Sequence, residues 1–198
     1  MKEIRPGLFH WTARHPKIGV EVSSYYVEGS GTLIDPMLPP GGLEWFRART
    51  APERIVLTNR HHYRQSDELR AAFGLPVLCN RLGLHEFESG PAVEGFRFGD
   101  ELAPGITALE VGAICPEETA LHIELEEGAL SFADGLIHYG ELGFVSDRLL
   151  GADAEGVKRG LRDALRGLLD RRFDTLLFAH GDPLVGGGSR ALREFVDG

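Results

Sequence analysis

Two blocks of short β segments, each followed by helical patterning, constrain this 198-residue chain more than any single motif. In the first block, residues 7–12, 22–27 (VSSYYV) and 32–35 (TLID) are punctuated by Gly and Pro and read as an antiparallel meander. A small helix over 43–47 follows, and then RIVLT (54–58), a continuous apolar run typical of a buried strand. SDELRAAFG places Leu69, Ala72 and Phe73 on one face, so a short helix capped by Ser66 and stopped at Gly74 is expected before the strand PVLC (76–79). The second block holds ITALEVG (106–112), TALHIEL (119–125) and ALSFADGLIHY (129–139), with Glu126, Glu127 and Gly128 turning the last two into a hairpin. Val157, Leu161, Ala164, Leu165, Leu168 and Leu169 then recur at helical spacing, ahead of a buried strand TLLFAHG (175–181) and a final helix over 189–196. Such an order implies an α+β fold with two sheets between outer helices.

Composition bounds the class of molecule. With 42% hydrophobic, 26% charged and 9% aromatic residues the proportions are those of a globular protein, and one domain over residues 1–198 is expected. The net charge of -9 argues against nucleic acid or an anionic membrane as partner, because either needs a basic face. Cys79 and Cys115 form no paired motif and are expected to be reduced. The opening MKEIRPGLFHW has no apolar stretch of signal-peptide length and no later run reaches the roughly 18 apolar residues of a membrane span, so a cytoplasmic location is expected. The GGGS run at 186–189 lacks the Lys and the spacing of a phosphate-binding loop and reads as a flexible turn and helix cap.

Polar residues directly after apolar strands are the informative ones, since strands hold position while their ends present side chains. Four such places stand out: Asn59 to Arg64 (NRHHYR) after RIVLT, Cys115 to Glu118 (CPEE) after ITALEVG, Asp134 after LSFA, and His180 with Asp182 after TLLFA. Together they offer a tandem pair of imidazoles, a third imidazole and several carboxylates, an inventory suited to a metal ion. Each also has an ordinary reading: Asp134 before Gly135 as a turn residue, Glu117 and Glu118 as solvated acids, His61 and His62 as the opening of a helix.

The order of these loops resembles the metallo-β-lactamase superfamily, the four-layer αββα sandwich that includes glyoxalase II-like thioesterases and lactonases. There a strand ends in a T-H-x-H-x-D-H loop, followed by a His, a bridging Asp and a last His, each after a later strand. Laid on that loop, LTNRHHYR puts Asn59 at the first His, His61 at the second, Tyr63 at the Asp and Arg64 at the last His. The middle His looks replaced by Glu118 or Glu117, Asp134 matches the bridging Asp, and His180 the final His. SSYYVEGSGTLIDP is like the family's opening hairpin, in which an Asp closes the strand.

The resemblance implies a degenerate centre. One of the lost ligands has become Arg64, a permanent cation that cannot coordinate, so at most one divalent ion (Zn, Fe or Mn) is expected, held by His61, Glu118, Asp134 and His180. The expected activity is hydrolysis of an ester, thioester or lactone, with Asp134, His62, Tyr63 and Arg64 acting on substrate or its developing oxyanion. The alternative is a metal-free, inactive relative that binds a small anionic metabolite through Arg64 and His62, with the guanidinium pairing to Asp134 or Glu118.

Overall fold

The tight turns of the N-terminal meander force neighbouring strands to run antiparallel, whereas helical crossovers return the chain in the same direction. Both regimes occur in the first of two compact units. The computed structural model describes residues 1–198, and its contacts divide into Met1–Arg97 with Leu102–Pro104, and Phe98–Glu101 with Gly105–Gly198.

The first unit is built on a seven-stranded sheet in sequence order. Strands β1 (Lys2–Arg5), β2 (Leu8–Arg14), β3 (Glu21–Val27) and β4 (Thr32–Ile34) pair antiparallel. From β4 onward β5 (Arg54–Val56), β6 (Val77–Asn80) and β7 (Glu94–Phe96) pair parallel, with helices α1 (Glu44–Arg47) and α2 (Ser66–Phe73) in the crossovers. Helix and sheet meet in a core of Phe9, Trp11, Tyr26, Phe46, Ile55 and Leu69 with their neighbours. Phe46 presents its ring edge-on to Trp11, Tyr26 and Phe73 at centroid distances of 6.2, 5.4 and 6.0 Å. The Tyr26 hydroxyl, at the polar end of this cluster, donates to the Thr50 carbonyl at 2.6 Å. Ser66 is not the cap of α2: Gln65 occupies that position, and Ser66 is buried inside the first turn. Gly74 ends the helix in the left-handed conformation, as its place after Phe73 suggests.

The second unit is a six-stranded sheet of order β15-β14-β11-β10-β9-β8. Its strands are β8 (Glu101–Ala103), β9 (Ile106–Glu110), β10 (Thr119–Ile123), β11 (Ala129–Phe132), β14 (Thr175–Phe178) and β15 (Leu184–Val185). The run 129–139, expected as one strand, breaks after Phe132 and resumes in a small separate hairpin of β12 (Ile137–His138) and β13 (Leu142–Gly143). Helices α3 (Ala154–Gly167) and α4 (Gly188–Asp197) cover one face, burying Leu161, Leu165, Leu192 and Val196 among Leu130, Phe132 and Phe178. Asp153 caps α3, its Oδ1 accepting from the Gly156 amide at 2.9 Å. The glycine run before α4 is not loose. Gly186 and Gly188 donate to the Asp174 carbonyl at 3.1 and 3.0 Å, and Gly187 to its Oδ1 at 2.7 Å.

Candidate active site

In the second unit, strand register accounts for the closest pair of candidate groups. Strands β11 and β14 are parallel with Phe132 opposite Phe178, and the Ala179 amide continues the ladder to the Phe132 carbonyl at 3.0 Å. Two residues further along each strand come Asp134 and His180, at equal heights on the same edge of the sheet. Their Oδ1 and Nε2 atoms stand 3.1 Å apart, each side chain partly buried. Two ligand atoms on one ion at the usual ~2.1 Å lie about 3.0 Å apart in an octahedral and about 3.4 Å apart in a tetrahedral shell, so this spacing fits two donors to a common metal.

Main-chain lacing keeps the two loops together. The His138 amide donates to the His180 carbonyl at 3.2 Å, the Asp182 amide returns to the His138 carbonyl at 3.1 Å, and His138 Nδ1 lies 2.7 Å from the Asp182 carbonyl. Gly181 sits inside this bridge at φ +98, where a Cβ would come within 1.9 Å of the His138 oxygen. Glu118, just before β10, is buried, and its Oε1 accepts from the Gly135 amide, the residue next to Asp134. One carboxylate oxygen expected to face a metal is thus used to fix the Asp134 turn. Glu117 is equally buried rather than solvated, and its carbonyl accepts from the Thr119 hydroxyl at 2.8 Å.

In the first unit the loop after β5 turns immediately into a 3-10 segment, Arg60–Tyr63. Asn59, at the family's first His position, is its cap: Oδ1 accepts from the His61 amide at 2.9 Å. The segment kinks at His62, whose backbone leaves the helical region at φ -92 and ψ 21, and the tandem imidazoles diverge. His61 is exposed and His62 is buried. His62 Nδ1 stands 2.9 Å from Asp35 Oδ2, whose carboxylate also takes the Thr58 amide on Oδ1 at 2.8 Å and the Thr58 hydroxyl on Oδ2. Asp35 follows β4 directly, and its amide donates to the Val56 carbonyl at 3.1 Å, which sets its side chain over the end of β5. Burial, the largest single influence, opposes its ionisation. The charge and hydrogen bond of His62, the charge of Arg64 and the Thr58 bond together outweigh it and hold the carboxyl below its ordinary value.

Arg64 is bent back across this cluster, with Nη1 donating to the Ser23 and Asp35 carbonyls at 2.6 Å each. Tyr63 turns the other way: its hydroxyl donates to Asp67 Oδ1 at 2.6 Å, and its ring packs against Phe87 at 5.7 Å. Burial, with that bond, pushes the phenol up to about 12. Within the second unit, Asp134 and His180 are the side chains placed to donate to a metal ion. Sequence reasoning passed over Asp35 as a site residue, although the strand-closing Asp of TLIDP was its one visible signal.

No family model matches the chain, and no curated protein matches it. Solved structures do. A metallo-β-lactamase family protein from Thermus thermophilus, TTHA1429, superimposes with a TM-score of 0.67 at 19% identity over 98% of this chain and 80% of its own. TTHA1623, solved in a di-iron-bound form, gives 0.67 at 23% identity over 91% and 98%. The metallo-β-lactamase DIM-1 gives 0.73 at 13% identity over 99% and 95%. A likeness that runs through more than nine-tenths of this chain at such low identity is a likeness of fold, and this protein has the α+β sandwich fold of the metallo-β-lactamases.

Proposed function

We propose that the protein is a hydrolase of an ester, thioester or lactone that uses at most one divalent ion, with Asp134 and His180 as donors to it. The observation that carries this reading is the Asp134–His180 pair, two ligand types at 3.1 Å on adjacent parallel strand ends. An imidazole beside a carboxylate suits zinc, iron or manganese. When bound, such an ion supplies Lewis acidity to a carbonyl and lowers the pKa of a coordinated water. In the other unit His62, not His61, is the buried imidazole of its loop, and Asp35 orients it. Asp134 Oδ1 and His180 Nε2 would hold the ion, and the laced 138–182 bridge keeps them from drifting apart. Glu118 anchors the Asp134 turn through Gly135 rather than reaching for an ion with Oε1. Tyr63, already committed to Asp67, is left out of the chemistry. Carboxylate ligation makes a less acidic centre than three imidazoles, so β-lactam turnover is expected to be poor.

A second reading, binding of a small anionic metabolite without metal, is favoured by Arg64, a fixed cation where the family has a ligand. Metal analysis of purified protein, with Asp134→Asn and His180→Asn beside it, separates the two. The hydrolase reading expects close to one zinc, iron or manganese per chain, lost in both variants, and chelator-sensitive cleavage in a panel of thioesters, lactones and aryl esters. Metal at background level in protein purified and then incubated with each ion sinks the hydrolase reading. Rapid metal-dependent hydrolysis of a β-lactam contradicts the expected weak acidity.

A further inference from the structure

Asp67 and Arg70 stand three residues apart in α2, a spacing at which an acid and a base on a helix meet. Elsewhere in the chain that spacing closes into ion pairs: Glu44 with Arg47, Glu155 with Lys158 at 2.8 Å, and Asp163 with Arg166 at 3.0 Å. Asp67 and Arg70 instead share a hydroxyl. Tyr63 donates to Asp67 Oδ1 at 2.6 Å, and the Arg70 guanidinium meets the same phenol oxygen. The hydroxyl therefore keeps the two charges apart, with one carboxylate oxygen and most of the guanidinium N–H groups left over. Both side chains line a cavity of about 650 Å³ in the first unit, walled otherwise by Ala71, Gly74, Leu75 and Pro91. We propose that this cavity binds a free α-amino acid with an apolar side chain, its carboxylate on Arg70 and its ammonium on Asp67, and that Tyr63 is the spacer that keeps both open.

Charge selects this ligand. A simple anion drawn to Arg70 meets the repulsion of Asp67, and a simple cation drawn to Asp67 meets that of Arg70, whereas a zwitterion whose charges are one carbon apart answers both. The planar fork of an arginine takes a carboxylate through two parallel bonds. Ala71, Leu75 and Pro91 give the apolar side chain a wall, and the volume falls within the range of about 300–1,000 Å³ of small-molecule sites. Asp67 is exposed and Arg70 half-buried, so a solute reaches both. The frame is fixed. The Gly74 and Leu75 amides donate to the Arg70 carbonyl at 2.8 and 3.3 Å, and the Tyr63 ring packs on Phe87. None of the donors assigned to the hydrolase takes part, so the site goes beyond that reading.

Titration of methyl-labelled full-length protein with L-leucine, L-methionine and L-phenylalanine, followed by nuclear magnetic resonance, tests this. The expected result is a saturable shift of the Ala71 and Leu75 methyl signals with at least one of the three. N-acetyl-leucine and leucine methyl ester each lack one of the two charges and should bind at least about 10-fold more weakly than leucine, as should leucine to Arg70→Gln and to Asp67→Asn. Tyr63→Phe lets Asp67 and Arg70 close on each other and should weaken binding as well. No methyl shift with any of the three amino acids at tens of millimolar overturns the proposal. So does N-acetyl-leucine or the methyl ester binding as tightly as leucine, a comparison on the wild type that stands even if the variants fail to fold. Leucine binding unchanged in Tyr63→Phe overturns the spacer role. Metal analysis decides the hydrolase reading separately, since the titration needs no metal.

Discussion

Gly181→Ala should be among the most damaging single-methyl changes in the chain, and the structure says by how much. At φ +98 an alanine pays about 1–2 kcal/mol for the left-handed side of the map. Its Cβ would also stand 1.9 Å from the His138 carbonyl oxygen and 2.5 Å from the carbonyl carbon, both backbone atoms that cannot rotate away. The chains must separate, and the two main-chain bonds between them, His138 amide to His180 carbonyl and Asp182 amide to His138 carbonyl, are the first to go. At about 1 kcal/mol each these add about 2 kcal/mol, for a total near 3–4 kcal/mol. Gly140 supplies the control: its φ is +86, and nothing lies within 4 Å of its added Cβ, so Gly140→Ala pays the backbone strain alone. Urea unfolding of both variants should show Gly181→Ala less stable than Gly140→Ala by about 2 kcal/mol, a midpoint lower by roughly 1 M at a slope near 2 kcal/mol/M. Equal midpoints for the two variants would refute the claim that the 138–182 bridge is closed tightly enough to exclude a methyl group. The same displacement moves His180, so Gly181→Ala should lose metal while Gly140→Ala retains it.

Two further outcomes concern the two cores. Leu161 is fully buried in α3 among Leu130, Phe132 and Leu165, so Leu161→Ala should cost about 2–5 kcal/mol by loss of transfer energy and a residual cavity, measurable as a lowered denaturation midpoint. Tyr26 is held neutral by burial and by the nearby Glu28 and Glu53, with its pKa pushed up to about 12. Its raised value means a stabilising contribution that is complete below the unfolded value near 10 and is lost as pH rises through about 12. An absorbance titration should show a late tyrosinate step from Tyr26 and Tyr63 together, which Tyr26→Phe halves. At neutral pH that variant should lose about 1 kcal/mol with its bond to Thr50.

Some of this molecule is written in local pattern. The 3.6-residue recurrence of Val157, Leu161, Leu165 and Leu168 predicts α3 closely, because a helix forms its bonds within itself and one stripe decides its buried face. The apolar runs behind Asp134 and His180 likewise locate β11 and β14, and their loop order alone brought the family likeness into view before any fold was compared. Strands as polar or short as β1 (KEIR) and β7 (EGF) carry no such pattern and form only because a neighbouring edge accepts them. The chemistry of the site belongs to the same class of non-local facts. Nothing in NRHHYR distinguishes His61 from His62: the choice follows from the kink of the turn at His62 and from Asp35, 27 residues earlier, waiting on the inner side. Glu118 was read as a ligand or a solvated acid, yet pairing of β10 with β11 places it beneath the Gly135 amide, where an acceptor is wanted. Arg64 has one nitrogen on two main-chain carbonyls that only the closing of β3 and β4 brings side by side. Periodicity depends on neighbours a few residues away and survives in a linear reading, whereas a hydrogen-bond partner is chosen by the register of strands far apart in the chain, and that register exists only once the sheets have formed.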